Sequence, residues 1–182
     1  MEPAPQPRPA AGAIRPADPV ILPPPAPDGR EDCVCFLLRS AARRASALYS
    51  RHLAQIGLGL PQHSLVGMAA AFEKRNGRPA SITELARALD LDRTTLTRNL
   101  RPMVAAGLVT LEPAGRAKAV RATREGRQAY RAGIALWRQA QDEMLGALGA
   151  AYPGLAAGLA AAIAGMPAPA DLPADPAAAG ED

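Results

Sequence analysis

The sequence predicts a mainly α fold with one small β-hairpin, and three observations carry that prediction. Alanine, arginine and leucine dominate the 182 residues while aromatic residues make up only 3%, a balance that favours helix over strand. Apolar residues recur every three or four positions over two long stretches. Between those stretches lies one pair of short alternating or β-branched segments, "LVTLEP" and "AKAVRAT". With 48% hydrophobic residues, the chain is long enough for one domain with a real core, flanked by tails.

The first tail is "MEPAPQPRPAAGAIRPADPVILPPPAPDGR", whose prolines remove backbone donors and block helix, so residues 1–30 are expected to be disordered or polyproline-like. From Asp32 to about Ile56, Val34, Cys35, Leu38, Ala41, Ala42, Ala45, Leu48, Tyr49, His52 and Ile56 recur at helical spacing with arginines between them, which predicts a long amphipathic helix. "GLGLPQ" breaks it, and Pro61 suits the first turn of a second helix reaching about Arg75. "RNGRPA" then reads as a turn.

Ser81 with Glu84 three residues on forms a capping box and starts a short helix in "SITELARAL". Asp92 caps the next helix, "RTTLTRNLRPMVAA", which buries Leu96, Leu100, Met103 and Val104 on one face and stops at Gly107 as a C′ residue. Pro102 is expected to kink that helix or confine its regular part to the turns before it. The hairpin follows, joined through Pro113-Ala114-Gly115-Arg116. A second long helix is predicted from Arg124 to about Leu148, and a shorter alanine-rich one from Pro153 to about Ala164. Residues 167–182 return to a Pro/Ala-rich, acidic composition and are expected to be a disordered tail.

Charge is distributed unevenly. Residues 1–30 hold three bases and three acids, and residues 167–182 hold no base and four acids, which leaves 18 bases and 10 acids between them. The folded part therefore carries about +8 against a whole-chain net charge of +4, which suits an anionic partner. No apolar run of about 18 residues and no signal sequence is apparent, so the chain is expected to be soluble and cytoplasmic, without a membrane partner.

A short capped helix, a tight turn, a second helix and a basic hairpin follow one another in the order of a winged helix-turn-helix. Reading base edges requires short polar and arginine side chains near the N-terminus of the second helix. Arg93, Thr94, Thr95, Thr97, Arg98 and Asn99 supply them around Leu96, while Arg116, Lys118 and Arg121 of the hairpin suit phosphates or a narrow minor groove. Double-stranded DNA is the expected partner; the alternative is a module whose winged domain contacts protein.

Competing chemistry finds little support. His52 and His63 are the only imidazoles, neither has the spacing of a ligand motif, and both are expected at a helix surface or interface. Cys33 and Cys35 lie two apart, so on a helix they point about 200° apart and converge on a metal only if the helix starts after Cys35. Neither a catalytic constellation, a cofactor nor a metal is expected, and the chain is read as no enzyme.

Residues from about 33 to 165 resemble the MarR family of bacterial transcription regulators. "SITELARALDLDRTTLTRNLRPMVAAGLV" is similar to that family's helix-turn-helix, and "GRAKAVRATREGR" to its wing and following helix start. The resemblance implies an intertwined homodimer, most often a repressor, with two winged domains reading the halves of a pseudo-palindromic operator and a small-molecule effector near the junction of helices one, two and five. It divides the chain into a tail (1–30), a dimerisation helix (31–60), a winged helix-turn-helix domain (61–123), C-terminal dimerisation helices (124–166) and an acidic tail (167–182). The family's wing carries Asp-x-Arg; Arg116 matches the arginine, Ala114 stands at the aspartate, and Glu112 is the nearby acid.

"CFLL", with Tyr49 fourteen residues beyond the cysteine and then "LPQ", resembles the organic-hydroperoxide-sensing, OhrR-type branch. There Cys35 matches the reactive cysteine and Tyr49 one of its two tyrosine partners, with Leu60 at the position of the second and Arg39 at that of a further tyrosine. Fourteen residues of helix span roughly 21 Å, so thiol and phenol can meet only across two chains. Cys35 is expected on a buried stripe with Leu38, Ala42 and Tyr49 that faces the partner chain, and Cys33 is expected to be exposed and incidental.

Overall fold

The computed structural model describes residues 33–115 and 117–171. Arg116, the tail at residues 1–30 and the chain beyond Asp171 lie outside them. Six α-helices and three short strands follow in order: α1 Val34–Leu53, α2 Leu60–Asn76, β1 Ala80–Ser81, α3 Ile82–Ala88, α4 Arg93–Ala105, β2 Val109–Ala114, β3 Ala117–Ala122, α5 Arg124–Leu148 and α6 Tyr152–Gly165. Single 3-10 turns follow α1, follow α5 and end the described chain at Pro169–Asp171, where Asp171 lies 3.6 Å from Arg87 of α3.

The sheet is antiparallel with order β1-β3-β2, and β1 joins Ala80, the end of the expected turn, to Ser81, the expected helix cap. Ala80 pairs with Val120 and Ser81 with Ala119, so the segment leading into α3 closes the inner edge of the hairpin. On the other side Val109 pairs with Ala122 and Ala114 with Ala117. This register makes the connection two residues, Gly115-Arg116, shorter than the four-residue joint expected; Gly115 takes φ +62°, a value that only glycine adopts without strain. Pro113 is tolerated because β2 is an edge strand.

The core is that of the winged segment. Leu65, Val66 and Ala69 of α2, Leu85 of α3, Leu96, Leu100 and Met103 of α4, and Val109 and Val120 of the hairpin form one buried cluster. Val104, expected on the buried face of α4, is 40% exposed, because the stripe of 96, 100 and 103 already fills the contact. Pro102 does not end α4: the helix runs three residues past it, and Ala106 N–H still donates to Pro102 O at 2.9 Å. The carbonyl that loses its donor belongs to exposed Arg98, where water can replace the missing N–H. The helix then stops as expected at Gly107, with Leu108 N–H on Met103 O (2.9 Å) and Gly107 N–H on Val104 O (3.0 Å), a Schellman ending.

His63, expected at a helix surface or interface, lies where α2 meets α5. It is 4% exposed, its Nε2 lies 3.1 Å from Tyr130 O, and its ring packs 4.6 Å from that of Tyr130 between α2 and α5. Gly133 makes room for it, since a Cβ there would sit 2.5 Å from the imidazole. Burial lowers the His63 pKa, disfavouring the charged ring, against a smaller opposing effect of the Tyr130 carbonyl. His52 pairs instead with Glu143 of α5 at 2.8 Å, beside Arg51 at 2.7 Å, and joins α1 to α5.

The first half of α1 is not covered by its own chain. Cys35, expected on a stripe that faces a partner chain, is left uncovered by its own chain, as are Val34 and Phe36 around it. Along α6, Leu155, Leu159 and Ile163 are exposed too. Apolar faces of this extent mark interaction surfaces. The expectation of no membrane-length apolar run is corrected here, because the stretch through α5 and α6 holds an 18-residue window of mean hydropathy 1.6 with none of it buried. That stretch is broken at Gly149, which takes φ +50°, and α6 alone spans about 21 Å, short of the roughly 30 Å hydrocarbon core.

Candidate nucleic-acid interface

Local bonds build the interface from its turn outward. Ser81 Oγ accepts from Glu84 N–H (3.2 Å), and Glu84 Oε2 accepts from Ser81 N–H (2.8 Å), closing the capping box of α3. Arg78 binds the same carboxylate through two N–H groups, at 3.0 and 2.5 Å. Chiefly through Arg78, and then through the Ser81 donors, the Glu84 pKa is lowered to about 2. Asp90, at φ +54°, turns the chain between the helices, a conformation that its short polar side chain tolerates. Asp92 Oδ1 then accepts from Thr95 N–H at 2.7 Å and caps α4.

With Leu96, Leu100 and Met103 buried, the opposite face of α4 is presented to solvent. Arg93, Thr94, Thr97 and Arg98 are exposed on it, and Arg101 continues the row one turn on. Arg101 was missed in the sequence, although the spacing 94, 97, 98, 101 is that of one helical face. Thr95 and Asn99 are half-buried; Asn99 lines a groove with Gly59, Pro61 and Gln62, toward the start of α2. Thr97 Oγ1 donates to Arg93 O at 2.8 Å.

Arg93, Thr97 and Lys118 are brought together around an open groove of about 730 Å3 between α4 and the hairpin, with Ile82 and Thr83 of α3 at its floor. Lys118 is exposed opposite Pro113. Arg121 is placed differently from the expected phosphate ligand. Its Nε donates to Glu112 Oε1 at 2.6 Å and its Nη1 to Glu73 of α2, because β3 passes directly beside the end of that helix. Glu112, the acid near the wing arginine, is therefore engaged by Arg121.

A second opening, about 530 Å3, separates α2 from α5. His63, Gly67, Met68, Tyr130, Trp137 and Arg138 line it, with Leu89 from the end of α3. It lies between helices two and five, and no α1 residue lines it.

Cys33 occupies the N-cap position of α1 and Cys35 its first turn, and both are exposed. Tyr49 lies elsewhere on α1: its hydroxyl donates to Gln141 Oε1 of α5, its ring centroid is 6.1 Å from that of Trp137, and burial raises its pKa. Among the described residues, no three His, Cys, Asp or Glu side chains group as a metal site.

Comparison with known proteins agrees with this geometry. A family model described as a helix-turn-helix domain matches residues 70–112, from the end of α2 into β2. A search of curated proteins finds no match. Among solved structures, the Mycobacterium tuberculosis transcriptional regulator MosR is 33% identical, with 75% of this chain and 98% of that one covered at a TM-score of 0.61. The same regulator in complex with DNA is 32% identical, covering 74% and 100% of the two chains at 0.62. A MarR-family transcriptional regulator from Rhodococcus sp. RHA1 is 19% identical, covering 72% and 92% at 0.59.

Proposed function

Since the chain belongs to the MarR family of winged helix-turn-helix transcriptional regulators, a family without enzymatic activity, we propose that it is a cytoplasmic homodimeric repressor. In this reading it binds a pseudo-palindromic operator in double-stranded DNA and leaves it when a small-molecule effector binds. The observation that carries the reading is the exposed row Arg93, Thr94, Thr97, Arg98 and Arg101 on a helix capped at Asp92, with Lys118 across the groove.

A major groove admits an α-helix, and arginine presents two donors to a guanine edge. Arg98 and Thr94, near the middle of the exposed row, are assigned to bases; Arg93, Arg101 and Lys118 are assigned to phosphates, and Arg116 to the wing contact. Two copies joined through the apolar faces of α1 and α6 would present two such helices, so half-site spacing follows from the dimer. An effector in the cleft between α2 and α5 releases DNA only by binding the non-DNA conformation more tightly. Trp137 and Tyr130 suit a planar apolar body and Arg138 an anionic end.

A gel shift on DNA flanking the chain's own gene tests the reading. Saturable, salt-sensitive binding that Arg98→Ala with Lys118→Ala abolishes at moderate salt is the expected result. Unchanged binding by that double variant refutes the assignment, and no binding by the native chain at low salt supports the protein-interaction module instead.

A second reading, in which the Cys35 thiol is the sensor, is supported by its place in the first turn of α1, on the face that its own chain leaves uncovered. A hydroperoxide would transfer one oxygen to the Cys35 thiolate, leaving a sulfenate and an alcohol. Adding an organic hydroperoxide to the same gel shift should release DNA from the native chain but not from Cys35→Ser; equal release from both excludes it.

A further inference from the structure

We propose that Glu73 is a positioning residue for the wing, holding the β2–β3 hairpin at the angle at which Lys118 meets DNA; the proposal rests on the DNA-binding reading above. Glu73 lies in the last turn of α2, with its side chain 18% exposed. One carboxylate oxygen accepts from Arg121 Nη1 of β3, the other from Arg127 Nη2 in the first turn of α5. Arg121 Nε donates in turn to Glu112 of β2 at 2.6 Å, and Arg127 Nε to the carbonyl of Ala122, the last residue of β3, at 3.2 Å. Two acids and two bases thus connect four elements.

The need for such a connection follows from how little else holds the hairpin. Its base is packed, with Val109, Val120 and Ala122 in the core, but Pro113, Ala114, Ala117 and Lys118 are all exposed. β1 supports β3 through only two residue pairs. Beyond Ala119, which is buried and pairs with Ser81, the outer half takes its direction from how β3 is held, and Arg121, three residues from Lys118, is one of its grips. Without the Glu73 carboxylate, Arg121 and Arg127 would face each other as like charges, and removing one partner from a partly buried set is the disruptive change. Because α5 also lines the cleft between the helices, a shift of α5 would reach the wing through the same carboxylate.

The test is a double-variant comparison on the full chain, using fluorescence anisotropy with a duplex from its own promoter region over a salt series. Lys118→Ala alone should lower affinity and reduce the log–log salt slope by about one. Glu73→Gln should weaken binding about tenfold at moderate salt, with a similar loss of slope, although it touches no DNA. Adding Lys118→Ala to Glu73→Gln should then have less than about a twofold further effect, whereas Glu73→Asp should restore the Lys118 contribution in part. Circular dichroism shows whether each variant is folded; if Glu73→Gln is not, Arg127→Lys keeps the charge, loosens the fork and carries the same comparison. An equal effect of Lys118→Ala in both backgrounds overturns the proposal while leaving DNA binding intact. Absence of binding by the native chain would remove the reading on which it rests.

Discussion

Replacing Gly126 by alanine should destabilise the protein by about 1–3 kcal/mol, although the same change in an unobstructed helix stabilises. Gly126 lies in the first turn of α5, and an added Cβ would fall 2.0 Å from Leu108 O and 3.0 Å from Leu108 C. An unstrained carbon–oxygen contact needs about 3.3 Å, so the helix and the β2 approach must part by roughly 1.3 Å. The obstacle cannot rotate away, because the Leu108 carbonyl accepts both Thr123 N–H and Thr123 Oγ1 at 3.1 Å, and Thr123 Oγ1 accepts Gly126 N–H at 2.9 Å. Overpacking against backbone costs about 1–3 kcal/mol, and loss of one of these hydrogen bonds adds about 1 kcal/mol. Against that, alanine gains at most about 1 kcal/mol of helix propensity. The net change lowers Tm by roughly 2–12 °C for a chain of this size. Gly146, on the same helix with nothing within 4 Å, is the control: Gly146→Ala should raise stability by about 0.5–1 kcal/mol. Urea and thermal unfolding should be compared at one protein concentration, since dimer formation shifts apparent stability. A Gly126→Ala protein as stable as the native one, or shifts of the same sign in both variants, would refute the reasoning.

Three further outcomes are expected. Burial lowers the His63 pKa below its ordinary 6.5, so the unfolded chain binds the proton first and stability present above pH 6.5 falls as pH drops below it; the urea midpoint should fall less between pH 7.5 and 5.5 in His63→Gln. Glu84 runs the same way at lower pH: its contribution is present above its ordinary 4.5 and is lost as pH falls toward about 2, and an NMR titration should show Arg78→Ala moving that pKa upward. Arg101→Ala should weaken DNA binding about equally on all sequences and reduce the salt slope by about one, whereas loss of binding on the preferred sequence alone would assign Arg101 to a base.

The order of elements was legible because its signals are local. Ser81 with Glu84, Asp92 before "RTTL" and Gly107 after "MVAA" each act within three or four residues, and the structure uses them as caps in those places. The exposed row of α4 was legible for the same reason, since Leu96, Leu100 and Met103 define its opposite face. Less local features misled. Pro102 is expected to kink α4 or confine its regular part to the turns before it, yet five of the thirteen residues of α4 are buried or half-buried, and that packing holds the chain helical beyond the proline.

What the sequence determined by itself is therefore the class of fold, the helix-turn-helix and the side chains available to DNA, because periodicity and capping are properties of a few consecutive residues. The tertiary structure decided which of those side chains remain free. Arg121 and Lys118 are both cations of one strand, but only Arg121 lies beside Glu73, 48 positions earlier, and it pairs there. His63 and Gly133 become neighbours only when α2 meets α5, and that contact, not any local pattern, buries the histidine and lowers its pKa. Charge and burial depend on neighbours distant in the chain, and only folding brings those neighbours together.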